Sequence, residues 1–153
     1  MKKIFALCMA FVMTLSLVAC GNDKGNEEIK MTISEFEYAC QSLDTDAMLE
    51  CMDPEVSQPL RAARLALNWI TITDEDIILE MIITSLFGIP DDTVRLDTAE
   101  ISINSIESKE DTATVACKIK MDKDEGTYEE DANIQLYRDD STDTWYITSI
   151  NLY

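Results

Sequence analysis

The chain has 153 residues, 30 of them acidic against 12 basic, no histidine, and a formal net charge of −18. A surface this negative does not neutralise phosphates, which excludes nucleic acid as a partner and disfavours adhesion to anionic headgroups. Without histidine, Ser-His and Cys-His nucleophile pairs and the common zinc sites are excluded, so no metal and no cofactor is expected.

Lys2 and Lys3 precede an apolar run from Ile4 to Val18. As a helix that run is roughly 22 Å long, short of a ~30 Å hydrocarbon core, so it reads as a secretory signal that is removed. It closes on Leu17-Val18-Ala19-Cys20, which resembles the lipobox of bacterial lipoproteins. The resemblance implies a signal peptide over 1–19 and acylation of Cys20, with palmitate-type chains. The remainder is then held to the cell membrane on its extracytoplasmic face. Two or more acyl chains make such attachment stable. Losing 1–19 removes two lysines and no acid, taking the formal charge from −18 to −20. Residues 20–30 are expected as the lipidated cysteine and a flexible tether, whose ten residues from Gly21 reach roughly 17 Å. Residues 31–153 are expected as a single domain.

Within that domain Ile33, Phe36, Cys40 and Leu43 form one apolar stripe, predicting a helix from Met31 to Leu43 with Thr32 as a cap. Asp44-Thr45-Asp46 punctuates, and a second short helix presents Ala47, Met48, Cys51 and Met52. Ser57-Gln58-Pro59 opens a third, with proline in the first turn and Leu60, Ala63, Leu67 and Ile70 as its stripe. Thr73 and Asp76 cap a fourth helix, apolar over most of its girth from Ile77 to Leu86, which Gly88 and Pro90 end.

From Val94 the period becomes two. Ala113, Val115, Cys117, Ile119 and Met121 alternate with polar residues, as do Tyr128, Ala132, Ile134 and Leu136. A four-residue turn over Lys123–Gly126 sets Cys117 against Ala132, Val115 against Ile134 and Met121 against Tyr128. The same register places Lys118 opposite Asp131 and Lys120 opposite Glu129 on the other face. A turn over Asp139–Thr142 sets Leu136 against Trp145 and Ile134 against Ile147. The apolar phase slips between Ile103 and Ile106 and again between Ile147 and Ile150, which predicts bulges and a bent sheet with a pocket beneath its helices.

A lipobox, a short tether, the run "ISEFEYACQSLDTDAMLECMDPE", further helices, a strand meander and "DTWYITSINLY" together resemble small NTF2-like (cystatin-like) bacterial lipoproteins. The matching residues are Phe36, Leu43-Asp44-Thr45-Asp46-Ala47 and Trp145-Tyr146-Ile147. This implies an α+β fold, N-terminal helices packed on a curved four-stranded antiparallel meander. Relatives of that fold include both enzymes and adaptors without chemistry, so fold alone does not decide function.

Cys40 and Cys51 flank a helix–helix turn on the apolar sides of their helices. They form either a disulfide closing a loop of about 12 residues or two reduced thiols packed as small hydrophobes. Cys117 reads as structural. The acidic run Asp122, Asp124, Glu125, Glu129, Glu130 and Asp131 fails the EF-hand spacing, because Gly126 falls at position five and Asn133 at twelve; a solvated hairpin tip is expected. Arg61 and Arg64 suggest an anion site or pairing with the many carboxylates. Trp69 and Trp145 read as core or pocket wall. No catalytic residue is assigned. The functional expectation is a non-enzymatic module whose helix–sheet cleft or outer sheet face binds a small apolar ligand or an envelope protein. The alternative is a ketosteroid-isomerase-like enzyme with a buried carboxylate base. A third reading is a regulator docking as a homodimer through the outer sheet face, where Ala116 and Tyr137 are the candidates.

Overall fold

The computed structural model describes residues 24–69 and 94–153. The lipobox with Cys20 and the fourth helix, with its Thr73–Asp76 cap and its Gly88 and Pro90 stop, lie outside them. Three helices, α1 (24–41), α2 (Thr45–Glu50) and α3 (Pro54–Trp69), precede four strands. These are β1 (Val94–Lys109), β2 (Thr112–Lys123), β3 (Thr127–Asp139) and β4 (Thr144–Leu152), forming one antiparallel sheet in the order β1-β2-β3-β4. Helix and strand residues share one core, so the fold is α+β, helices packed on a four-stranded antiparallel meander.

Helix α1 is longer than its expected Met31 start. Residues 24–30, expected as tether, are helical because Ile29 extends the apolar stripe by one turn and is wholly buried with Ile33, Phe36 and Cys40. Thr32 is therefore interior rather than a cap, and its hydroxyl donates back to the Glu28 carbonyl at 3.2 Å. The helix stops in a Schellman turn: Asp44 N–H donates to the Ala39 carbonyl and Leu43 N–H to that of Cys40, each at 3.0 Å. Leu43 takes the left-handed position at φ 54° and stays 45 % exposed instead of joining the stripe. Asp44 then caps α2, its Oδ1 accepting from Ala47 N–H at 3.0 Å.

Asp53 and Pro54, rather than Ser57 and Pro59, open α3. Asp53 Oδ1 accepts from Glu55 N–H at 2.7 Å, and Pro54 occupies the first helical position, where its missing N–H costs nothing. Pro59 sits inside the helix, and Leu60 is the buried residue beside it.

The β2–β3 hairpin has the expected register through all its pairs, from Thr112 opposite Tyr137 to Asp122 opposite Thr127. Gly126 closes its turn at φ 94°, a conformation that side chains rarely adopt. The charge pairing is diagonal: Lys118 Nζ lies 2.8 Å from Glu129 and 3.9 Å from Asp131, while Lys120 turns to Glu100 of β1 at 3.5 Å.

The β3–β4 turn differs from expectation. Asp139 Oδ1 accepts from both the backbone N–H and the hydroxyl of Ser141, at 2.8 and 2.7 Å, and Asp143 takes a left-handed φ of 56°. These contacts place the loop at Asp140–Asp143, one residue later than expected, so Leu136 faces Ile147 and Arg138 faces Trp145. A one-residue displacement of a hairpin loop moves the pairing by two and leaves each side chain on its original face. Both expected bulges are present, with Asn104 as the extra residue of β1 and Thr148 that of β4. A further irregularity between Arg95 and Glu100 was not foreseen; Thr98 stabilises it, its hydroxyl donating to the Arg95 carbonyl and accepting from Asp122 N–H.

Candidate functional site

One backbone contact sets the geometry of the site. Ile147 N–H donates to the Cys51 carbonyl at 2.8 Å, and Asp53 N–H donates to the Ile147 carbonyl at 2.9 Å, so Met52 forms a parallel bridge to β4. The chain leaving α2 is thereby held along β4, an outer strand of the described sheet. Helix α1 is fixed from the other side: Gln41 Nε2 donates to the Ala99 carbonyl at 2.7 Å, and Glu37 Oε1 accepts from Ile101 N–H at 3.2 Å.

Between α1, α2 and the start of β4 these constraints leave a cleft of about 480 Å³. Thr144, Trp145 and Tyr146 form its sheet wall, and Tyr38 of α1 stands on the other side, 72 % exposed. Glu35 and Glu50 line it from the two helices, both exposed. Cys51 lines the same cleft and feels both carboxylates. Burial, then the charges of Glu35 and Glu50, push its thiol up to about 11, so at neutral pH it is protonated and a poor nucleophile.

Trp145 is 4 % exposed, and its indole Nε1 has no hydrogen-bond partner among the described residues. Buried indole N–H groups ordinarily find an acceptor. Its cross-strand neighbour Arg138 is ion-paired with Asp143 and leaves its Nε likewise without a partner.

The other sequence candidates lie apart from the cleft or have structural partners. Cys40 and Cys51 are free thiols close enough to interact electrostatically; burial, then the charge of Cys51, raises Cys40 far above the ordinary thiol range. Cys117 is buried mid-strand, its thiol pushed up to about 11 by burial and then by the charge of Asp131. Arg64 pairs with Asp46, joining α3 to α2. The acidic hairpin tip is solvated, with Lys123 Nζ 5.2 Å above the Tyr128 ring. Among the described residues no group of three His, Cys, Asp or Glu is placed to hold a metal, and no helix is long and apolar enough to cross a membrane. Glu35, Tyr38 and Glu50 were missed by sequence reasoning; the only signal available was an aromatic and two acids on the polar faces of consecutive helices.

No protein-family model and no curated protein matches the chain. Among solved structures, it is similar to a SEC-C motif containing protein from Rhodopseudomonas palustris, at 13 % identity over 76 % of this chain and 71 % of that one, with a TM-score of 0.48. It is also similar to an NTF-2 like protein of unknown function from Shewanella oneidensis MR-1. That match has 15 % identity, covers 84 % of this chain and 98 % of the other, and has a TM-score of 0.53. The arrangement of helices over a four-stranded meander is thus the NTF2-like fold.

Proposed function

We propose that this chain is a membrane-anchored extracytoplasmic lipoprotein whose NTF2-like domain is a non-enzymatic binding module. The cleft of about 480 Å³ between α1, α2 and β4 carries this reading, since it is within the size range of small-ligand sites. The binding role is favoured over the isomerase-like one because every described Asp and Glu keeps contact with solvent. A carboxylate general base with a raised pKa needs burial at the floor of an apolar cavity. The anchor rests on Leu17-Val18-Ala19-Cys20 and on a net charge that gives anionic lipid no other reason to retain the protein.

Two measurements test this. Cys20→Ser is expected to release the protein from the membrane fraction into the medium; retention of the variant overturns acylation at Cys20. Mild-detergent extraction of the unaltered protein is expected to bring a small molecule or an envelope protein with it in stoichiometric amount. Recovery of the bare chain, together with turnover of an enolisable ketone, overturns the binding role.

A further inference from the structure

If Cys20 carries the acyl anchor, as proposed above, the chain between it and the domain restricts how the domain stands on the bilayer. Only Gly21, Asn22 and Asp23 separate Cys20 from Lys24, where α1 begins. Fully extended, the step from residue 20 to residue 24 covers at most about 14 Å. Unravelling α1 to gain length would draw the wholly buried Ile29 out of the core. It would also break the hydrogen bond that Ser108 Oγ donates to Asn26 Oδ1 at 3.2 Å.

The direction of α1 is fixed near both of its ends. The Asn26–Ser108 contact holds its start beside the last residues of β1, while Glu37 and Gln41 hold its other end on Ile101 and Ala99. The helix therefore runs antiparallel to β1, along the sheet. Two loops lie together at the end of the meander where α1 starts. Arg138 N–H donates to the Asp111 carbonyl at 2.7 Å, joining the β1–β2 loop to the end of β3, and Arg138 is ion-paired with Asp143 of the β3–β4 loop. Glu28 of α1 is close enough for its charge to act on Arg138. The β2–β3 turn is at the opposite end, beyond the 12 residues of β2.

From the three-residue spacing and these contacts we infer that the domain meets the bilayer with one end, formed by the first turn of α1 and the β1–β2 and β3–β4 loops. The β2–β3 turn then points away from the membrane. The partner of the near end is a lipid surface. Glu110, Asp111, Asp140 and Asp143 outnumber Lys109 and Arg138 in and beside those loops, so the surface that fits is one of zwitterionic headgroups.

Nanodiscs of phosphatidylcholine doped with a gadolinium-chelate headgroup lipid read this orientation from the unaltered lipidated protein. The length of β2 sets the loops and the β2–β3 turn about 37 Å apart, so amide broadening is expected to be about tenfold stronger at Asp111 and Ser141 than at Glu125. It should fall steadily along β2 from Thr112 to Lys123. Ten glycine–serine residues inserted after Asp23 add roughly 17 Å of reach and are expected to level the gradient. Uniform broadening, or broadening strongest at Glu125, overturns the inference, as does a gradient that the insertion leaves unchanged. Co-elution with the nanodiscs separates this result from the anchor. A co-eluting protein with the wrong gradient overturns the orientation alone, whereas an unaltered chain that elutes apart from the nanodiscs overturns acylation at Cys20 and the orientation with it.

Discussion

Glu37 Oε1 accepts a hydrogen bond from the backbone N–H of Ile101 at 3.2 Å, tying the C-terminal part of α1 to β1 across 64 residues of sequence. With Gln41 reaching the Ala99 carbonyl, it fixes the helix over the irregular stretch of β1. Glu37→Ala leaves the part-buried Ile101 N–H without its acceptor and is expected to cost about 1–2 kcal/mol in urea unfolding. Glu37→Gln keeps an acceptor oxygen and should recover most of the loss. Equal losses from the two variants would show that the contact does not hold the helix.

Leu43 is a non-glycine residue in the left-handed position of a Schellman turn, with a half-exposed side chain. Leu43→Gly removes the steric penalty at the cost of a more flexible unfolded chain, a net stabilisation of about 1 kcal/mol or less. A higher urea midpoint with an unchanged slope is the expected outcome.

The outer ladder of the β2–β3 hairpin should respond to charge in a diagonal sense. Lys118→Glu weakens the hairpin, and Glu129→Lys is expected to rescue it better than Asp131→Lys, because Lys118 lies closer to Glu129. Thermal melts of the two double variants at low and high salt check this, and the difference should shrink as salt screens these exposed groups.

Acid and base should act on different parts of the fold. The Lys118 hydrogen bond lowers the Glu129 carboxyl, and the Ser141 hydrogen bonds lower that of Asp139. Carboxyls lowered by folding stabilise the protein above their ordinary range, and that contribution is lost as pH falls through it. The thiols behave oppositely. Cys51 and Cys117 are raised to about 11, so their contribution is complete below the unfolded thiol pKa and lost as pH rises from about 9 toward 11. Stability measured across pH should therefore decline at both ends, and Cys117→Ser should flatten only the alkaline limb.

Alkylation gives a separate test of the thiols. In the folded protein at pH 7.5, half-buried Cys51 is expected to label slowly while buried Cys40 and Cys117 stay unlabelled. After denaturation without reductant, peptide mapping should find all three labelled. Label on Cys117 alone would report a Cys40–Cys51 bridge.

Legibility from sequence followed the number of independent signals at each position. In the central hairpin, apolar alternation and opposed charges agree on one register, and Gly126 fixes the turn, so every pair from Thr112–Tyr137 to Asp122–Thr127 could be read in advance. The bulges at Asn104 and Thr148 were visible as slips of apolar phase. The β3–β4 turn was misplaced because the side-chain hydrogen bonds of Asp139 outweigh the pattern of turn-forming residues, among which Asp139 and Asp140 look equivalent. Helix α1 was started late because Ile29 is a single apolar residue among Asn26, Glu27, Glu28 and Lys30, a composition that reads as tether until packing is known. The cleft was least legible. Its walls meet through the backbone of Cys51, Asp53 and Ile147, and main-chain contacts between distant segments leave little mark on side-chain pattern.

The irregularities of β1 and β4 have a consequence for solubility. Both are outer rails of the sheet, and each is broken by its bulge. Beyond the irregular stretch, β1 offers an incoming strand only Glu100–Ile103 and then Ser105–Lys109, and β4 offers Thr144–Ile147, already engaged by Met52, and then Ser149–Leu152. Long flat margins template fibrils, whereas short kinked ones resist them. A chain crowded beside its own copies is protected by keeping the long unbroken β2–β3 ladder in the middle.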